Sequence, residues 1–179
     1  MSYDPSNVAF VDCETLGLNP ACHPIWEIAI ILPDTGEEHV WQIRPTPDER
    51  MLADPIAVAI SGFEARYVDG TAKRKIESVA RFVELLTGRH IVGAVPSFDE
   101  ERLRLMYLSV HGMPDRFPWH YRLVDVESGM LAKLGVGPGQ EPDEMAALLG
   151  VTVHPDKHSA LGDARWVRAV FEALVGGPE

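Results

Sequence analysis

Two acidic residues stand in a run of the sequence that otherwise predicts a buried strand. Asp12 and Glu14 end the apolar run VAFVDCE, residues 8–14. Because side chains alternate between the two faces of a strand, both carboxylates leave the same face, while Val11 and Cys13 point to the other. Two like charges at the end of a buried strand repel each other unless a cation lies between them. The alternative is a solvated strand end that leads into the turn at residues 17–20, and a lone D-x-E pattern usually has that fate.

Two further aspartates precede the apolar stripes of predicted helices. Asp163 is followed on the same helical face by Trp166, Val167, Val170, Phe171 and Leu174. Asp99 has the same relation to Leu103, Met106 and Val110. A carboxylate on the apolar side of its helix faces the core and not water. The alternative for Asp99 is an N-cap role, which is compatible with a second role as a ligand.

Four inward carboxylates predict a site for divalent cations, because burying unpaired anions is very costly. Ligands that offer only oxygen favour Mg²⁺ or Mn²⁺ over zinc. Two such ions can activate a water molecule and stabilise the leaving oxygen in phosphodiester cleavage.

A histidine lies close to the last of these acids in the sequence. His158 falls five residues before Asp163, in the loop that leads into the last predicted helix. An imidazole there can take a proton from water near neutral pH, and the alternative is an exposed loop histidine without a catalytic role. His154 and His158 have the spacing of a zinc-binding pair, but the intervening Pro155 and the lack of neighbouring cysteine ligands disfavour zinc.

The composition indicates a globular protein of one domain. The chain has 179 residues, of which 46% are hydrophobic and 24% charged, and we expect a single domain over residues 1–179. Its two cysteines make no disulfide framework, and we find neither a secretory leader nor a run of about 20 apolar residues. We therefore expect a cytoplasmic protein that does not bind membranes.

The net charge limits how the chain can hold nucleic acid. It is −11, since 27 acidic residues outnumber 16 basic ones. Tight binding along an extended nucleic acid usually requires a basic face. The charge is compatible with an enzyme that holds a few nucleotides through metal ions that bridge carboxylates to phosphate.

The periodicity of apolar residues predicts strands that alternate with helices. Strands are predicted at residues 8–14, 26–32, 39–43, 91–95 and 121–126, with a hairpin turn at 33–36 and a loop at 44–55. Helices are predicted at residues 56–60, from about 71 to 87, from about 99, and at 126–134, 143–149 and 160–174. A meander followed by alternating strands and helices indicates an α/β fold with mixed strand directions.

These motifs resemble those of a known family, the DnaQ-like DEDDh exonucleases of the RNase H-like superfamily. The first motif is FVDCETLGL at residues 10–18, the second is SFD at 97–99, and the third is HSALGDA at 158–164. Weaker similarities are EIA at 27–29 and SGF at 61–63. The motifs occur in the family's order, and the resemblance covers nearly the whole chain.

The resemblance implies a fold, an activity and a set of site residues. The implied fold is an RNase H-like mixed five-stranded sheet flanked by helices, and the implied activity is 3′→5′ exonuclease. Two Mg²⁺ or Mn²⁺ ions would be held by Asp12, Glu14, Asp99 and Asp163, with His158 as the general base. The terminal nucleotide would contact the backbone at Thr15 and Leu16, the side chain of Leu18 as a wedge, and Phe63 and Phe98.

The chain departs from the family pattern at one place, and alternatives to the main interpretation remain. Residues 94–96 are Ala-Val-Pro where the family usually has His-Asn-Ala, which affects the expected substrate contacts but no metal ligand. A haloacid-dehalogenase-type phosphatase fits Glu14 and the third motif poorly. A non-catalytic binding module usually lacks one of the five residues, and this chain has all of them. The expected partner is a single-stranded 3′ end, with DNA preferred to RNA, and the chain either acts alone or binds a DNA polymerase.

Overall fold

A five-stranded sheet forms the centre of the molecule. The computed structural model describes residues 3–152 and 156–176. The strands are β1 (Val8–Thr15), β2 (Ile25–Leu32), β3 (Glu37–Gln42), β4 (His90–Gly93) and β5 (Val124–Asp125). Their order in the sheet is β3-β2-β1-β4-β5. Neighbours β1/β2 and β2/β3 are antiparallel, whereas β1/β4 and β4/β5 are parallel. The predicted mixed sheet of an α/β fold is confirmed.

Helices cover both faces of this sheet. Their bounds are α1 (Pro47–Met51), α2 (Pro55–Ser61), α3 (Phe63–Arg66), α4 (Lys75–Leu86), α5 (Pro96–His111), α6 (Val126–Leu134), α7 (Pro142–Leu148) and α8 (Ala160–Val175). Residues of α4 and α5 pack with Ala9 and Val11 on one face. Residues of α6, α7 and α8 pack with Val8 and Phe10 on the other. Alternation along β1 therefore supplies both halves of the core.

The fold brings the ends of several elements to one end of the sheet. Because β1 and β4 are parallel, their carboxyl ends lie at the same end. Helix α5 begins shortly after β4 ends, and Gly93 permits this close turn: a Cβ on it would lie 3.2 Å from the Cα of Pro96. The first turn of α8 reaches the same region, since its residues pack along β1 and β2. The predicted acids on β1, α5 and α8 are thus gathered at one end of the sheet.

Local structure differs from the sequence-based expectation in several places, among them helix α3, which the sequence patterns do not predict, and the start of α4, which lies at Lys75 and not near residue 71. Residues 44–55 were expected to form a loop but contain α1, which begins with a capping box between Thr46 and Glu49. Asp99 is not an N-cap, because α5 begins at Pro96 and Val95 is its N-cap. Strand β5 has two residues in place of the six expected at 121–126, since its backbone pairs only with Val92 and Gly93.

No helix in residues 3–152 or 156–176 has the length and apolar character needed to cross a membrane. His154, considered above as half of a zinc-binding pair, lies outside the described residues.

Candidate metal and catalytic site

Three of the predicted acids form a compact cluster of carboxylates. One oxygen each from Asp12, Glu14 and Asp163 lie within 4.8 Å of one another. Asp12 and Glu14 alternate with the buried Val11 and Cys13 and share the face of β1 that carries Phe10. Asp163 is in the first turn of α8, whose Trp166, Val167, Val170 and Phe171 are buried as predicted. The packing of α8 on the sheet therefore brings a carboxylate from the end of the chain to those of β1.

Asp99 faces the same space from α5. It is 5% exposed and lines a cavity of about 310 Å³ together with Asp12, Glu14, His158 and Asp163. It lies beside the thiol and the backbone of Cys13, which lower its pKa, and it does not belong to the group of oxygens within 4.8 Å. A second cavity of about 250 Å³ is also lined by Asp12, His158 and Asp163, and the ion pair between Lys157 and Asp143 forms part of its lining.

Burial raises the pKa of all four carboxyl groups, and neighbouring acids add to this effect at Asp12 and Glu14. Burial, with Asp163 as the next cause, raises the pKa of Glu14 to about 8, although Arg66 acts in the opposite direction. Burial raises the pKa of Asp99 to about 7 against the effect of Cys13. The pKa of Asp12 lies well above its ordinary value because of burial and then of Asp99, Asp163 and Glu14. Burial also raises the pKa of Asp163, while His158 lowers it.

The donor set fits a hard divalent cation. A cation between the carboxylates would relieve the repulsion that raises these pKa values. The available ligands are carboxylate oxygens, which favour Mg²⁺, Mn²⁺ or Ca²⁺. Burial raises the pKa of the Cys13 thiol well above its ordinary value, so this group remains protonated and offers no thiolate to a softer metal.

His158 lies at the mouth of the cluster. It is exposed and lines both cavities. Its backbone N–H donates to Oδ2 of Asp163 at 3.1 Å. Its φ angle is 64°, and among the described residues it is the only non-glycine with a positive φ. The loop thus places an imidazole beside the carboxylates while its backbone is held in an unusual conformation.

The residues predicted to contact a nucleotide fall into two groups. Leu18 is 74% exposed and Phe98 is half-buried at the cavity, so both side chains can reach a ligand. Phe63 is 5% exposed and stacks on Tyr67 with ring centroids 4.8 Å apart. Leu16 is fully buried, and its N–H donates to the carbonyl of Pro24. Thr15 is 7% exposed, and its hydroxyl donates to the carbonyl of Gly17.

Three of the residues predicted to contact the nucleotide are therefore buried, and they support the surface that carries Leu18 instead of forming it: Thr15, Leu16 and Phe63. Leu16 and Phe63 belong to one small buried cluster with Trp26. The turn after β1 requires Gly17, whose φ is 151° and where a Cβ would lie 2.1 Å from the ring of His23. These contacts hold the backbone of the turn that leads to the exposed Leu18.

Three charged residues near the site were not predicted to take part in it. The Arg102 guanidinium lies 3.3 Å from the ring centroid of Phe98 and donates to the carbonyl of Leu18 at 2.6 Å. Arg66 forms an ion pair with the buried Glu27 of β2. Glu27 gave a signal in the sequence, since it is the one charge in the strand IWEIAIIL, residues 25–32. Arg66 and Arg102 gave none, because nothing local distinguishes them from solvated arginines.

The chain matches the model of the RNase_T family, described as exonuclease, over residues 9–171. Similar solved structures include E. coli exonuclease I with bound zinc ion and single-stranded DNA, at 23% identity and a TM-score of 0.76. The same enzyme with a dT13 oligonucleotide has 25% identity and a TM-score of 0.73. In each case the match covers 94% of this chain and 40% of the other, so this chain spans about two fifths of exonuclease I. No curated protein sequence gives a significant match.

Proposed function

The chain belongs to the RNase_T exonuclease family, and on that basis we propose that residues 1–179 form a single metal-dependent 3′→5′ exonuclease domain. The observation that carries this proposal is the group of three carboxylates within 4.8 Å of one another, which shares a cavity with Asp99 and His158. Such a cluster is costly unless it binds cations. Its position beside an exposed imidazole suits hydrolysis of a phosphodiester bond.

The position of each acid suggests its role in binding metal ions. Asp12, Glu14 and Asp163 would hold divalent metal ions, and Asp99 would contribute a ligand from α5, in the lining of the same cavity. We propose two ions, Mg²⁺ or Mn²⁺, which when bound would supply charge stabilisation for the phosphate and a lowered pKa for water. The His158 imidazole, exposed beside Asp163, would accept the proton of the attacking water.

The surface next to the cluster suits a short single strand. Leu18 and Phe98 offer apolar side chains for the terminal base, and base stacking on aromatic rings is tolerant of sequence. The net charge of −11 favours a grip on a few nucleotides and not along an extended strand. We propose DNA as the preferred substrate. The support is that similar exonuclease I structures contain single-stranded DNA or a dT13 oligonucleotide.

The test uses labelled oligonucleotides with purified protein and Mg²⁺. We expect a 5′-labelled single-stranded DNA to give a descending ladder, and a 3′-labelled one to release labelled mononucleotide at once. RNA of matched sequence should be degraded more slowly. Asp163→Asn serves as the control for a contaminating nuclease, since it removes one ligand charge with little change of shape.

Other results would select a different function. Faster degradation of RNA would identify an exoribonuclease of the same family. Cuts in circular single-stranded DNA would identify an endonuclease. Oligonucleotide binding without cleavage, in Mg²⁺ and in Mn²⁺, would identify a non-catalytic binding module. Association with a DNA polymerase stays a prediction from the resemblance.

A further inference from the structure

Glu27, a buried glutamate next to the carboxylate cluster, is bonded to groups outside that cluster. Glu27 is 4% exposed and pairs across the sheet with Glu14. Its Oε2 accepts from Arg66 and from the backbone N–H of Ala160 at 3.1 Å. Ala160 is the first residue of α8, where an N–H has no partner within the helix and a negative charge is favourable. Glu27 therefore holds the start of the helix that carries Asp163.

Arg66 connects four separate segments of the chain. One terminal nitrogen of its guanidinium, Nη2, donates to Glu27, and the other, Nη1, donates to the carbonyls of Ser61 at 2.7 Å and His158 at 3.1 Å. Its own carbonyl accepts from the side chain of Gln42 at 2.8 Å, which ties the end of α3 to β3. A planar guanidinium can make these bonds in fixed directions, whereas a lysine ammonium cannot reproduce them.

The Arg66 contact bears on the unusual backbone of His158. A non-glycine residue with φ of 64° persists only where its surroundings hold it. On one side the His158 N–H is bound by Asp163, and on the other its carbonyl is bound by Arg66. Both peptide groups of the residue are therefore fixed, and the direction of its side chain follows from them.

We propose that Arg66 and Glu27 are positioning residues that hold His158 beside the carboxylate cluster and tie it to α3. The inference rests on the proposed function, because it assigns His158 the catalytic proton transfer. Helix α3 begins with Phe63, which packs with Leu16 in the buried cluster beneath the turn that leads to Leu18. The Arg66 side chain thus joins the segment that supports this turn to the loop of the general base.

The perturbing variant is Arg66→Lys. It keeps a positive charge beside the buried Glu27, so the fold is retained, but it loses the bond to the His158 carbonyl. The matched control is Arg89→Lys. Arg89 makes a similar fork, to both oxygens of Asp34 at 3.0 and 2.8 Å and to the carbonyl of Val8 at 3.2 Å. That fork lies at the opposite end of β1 from the carboxylates.

The kinetic readout is a double-mutant cycle with His158→Ala. Arg66→Lys should lower kcat by about 10- to 100-fold, since a misplaced catalytic group has effects of this size, while KM changes less than threefold. In the His158→Ala background the same substitution should change kcat by less than about twofold. An equal loss of kcat in both backgrounds would show a general structural role and overturn the proposal, as would an unchanged kcat for Arg66→Lys alone.

Hydrogen exchange tests the same proposal without using activity. The amide of Ala160, which donates to Glu27, and the peptide that contains it should exchange faster in Arg66→Lys and in the charge-neutral double variant Arg66→Met/Glu27→Gln. The Arg89→Lys control should match the parent in that peptide.

If the parent degrades no nucleic acid, the proposed function fails. Exchange then still decides whether Arg66 and Glu27 hold this segment, and unchanged exchange in both variants would overturn the inference.

Discussion

Replacing Glu14 by Gln should reduce the loss of stability that the metal-free protein undergoes as the pH rises. Glu14 has a pKa of about 8 in the folded protein, against an ordinary value of 4.5. Between these two values the folded state binds more protons at this group than the unfolded state does. The stability that this extra proton binding contributes to the folded state is therefore fully present below about pH 4.5 and is lost as the pH rises to about 8.

The magnitude follows from proton linkage. One extra bound proton in the folded state costs about 1.4 kcal/mol of unfolding free energy for each pH unit. From about pH 5.5 to about pH 7.5, Glu14 alone would remove at most about 2.7 kcal/mol. Because its side chain is half-buried and solvent screens it in part, we expect about 1–2 kcal/mol. For a chain of this length that corresponds to roughly 2–8 °C in Tm.

The assay is urea unfolding in EDTA at the two pH values. Glu14→Gln should lose less stability than the parent between them, by about 1–2 kcal/mol. Asp34→Asn is the control, since Arg89 lowers the pKa of Asp34 and its titration lies below this range. Histidines common to both proteins cancel in the comparison. A parent as stable at the higher pH as at the lower, or a variant with the parent's pH dependence, would refute the reasoning.

Four further outcomes are expected. EDTA should abolish nuclease activity and Mg²⁺ or Mn²⁺ should restore it, with a rise in Tm because the metal binds only the folded state; activity after exhaustive chelation would contradict the metal site. His158→Ala should lower kcat by about 10²–10⁴ with little change in metal binding measured by calorimetry, and an unchanged rate would remove His158 as the base. Leu18→Ala should raise KM for single-stranded DNA about five- to tenfold, whereas a fall in kcat alone would argue against a binding contact. Thr46→Ala should cost about 1 kcal/mol in urea unfolding through loss of the capping box, and activity per folded molecule should not change.

The sequence by itself determined the parts of this protein that depend on local pattern. Alternation in β1 predicted that Asp12 and Glu14 share a face, and the apolar stripe after Asp163 predicted the helix that directs it inward; both follow from backbone periodicity. The succession of strands and helices along the chain and the mixed strand directions also followed from these patterns. The capping box at Thr46 and Glu49 is also present in the sequence, but the prolines and aspartates around it indicate a loop, so the local pattern alone does not predict α1.

Only the tertiary structure decided which distant groups meet. Glu27 bonds to Arg66 across 39 residues and to the Ala160 amide across 133, and Arg66 reaches the His158 carbonyl across 92. No local periodicity specifies such pairs, since they result from how α3, β2 and α8 pack together. The raised pKa values of the acids have the same origin, because burial and charge proximity arise only when β1, α5 and α8 converge on one end of the sheet.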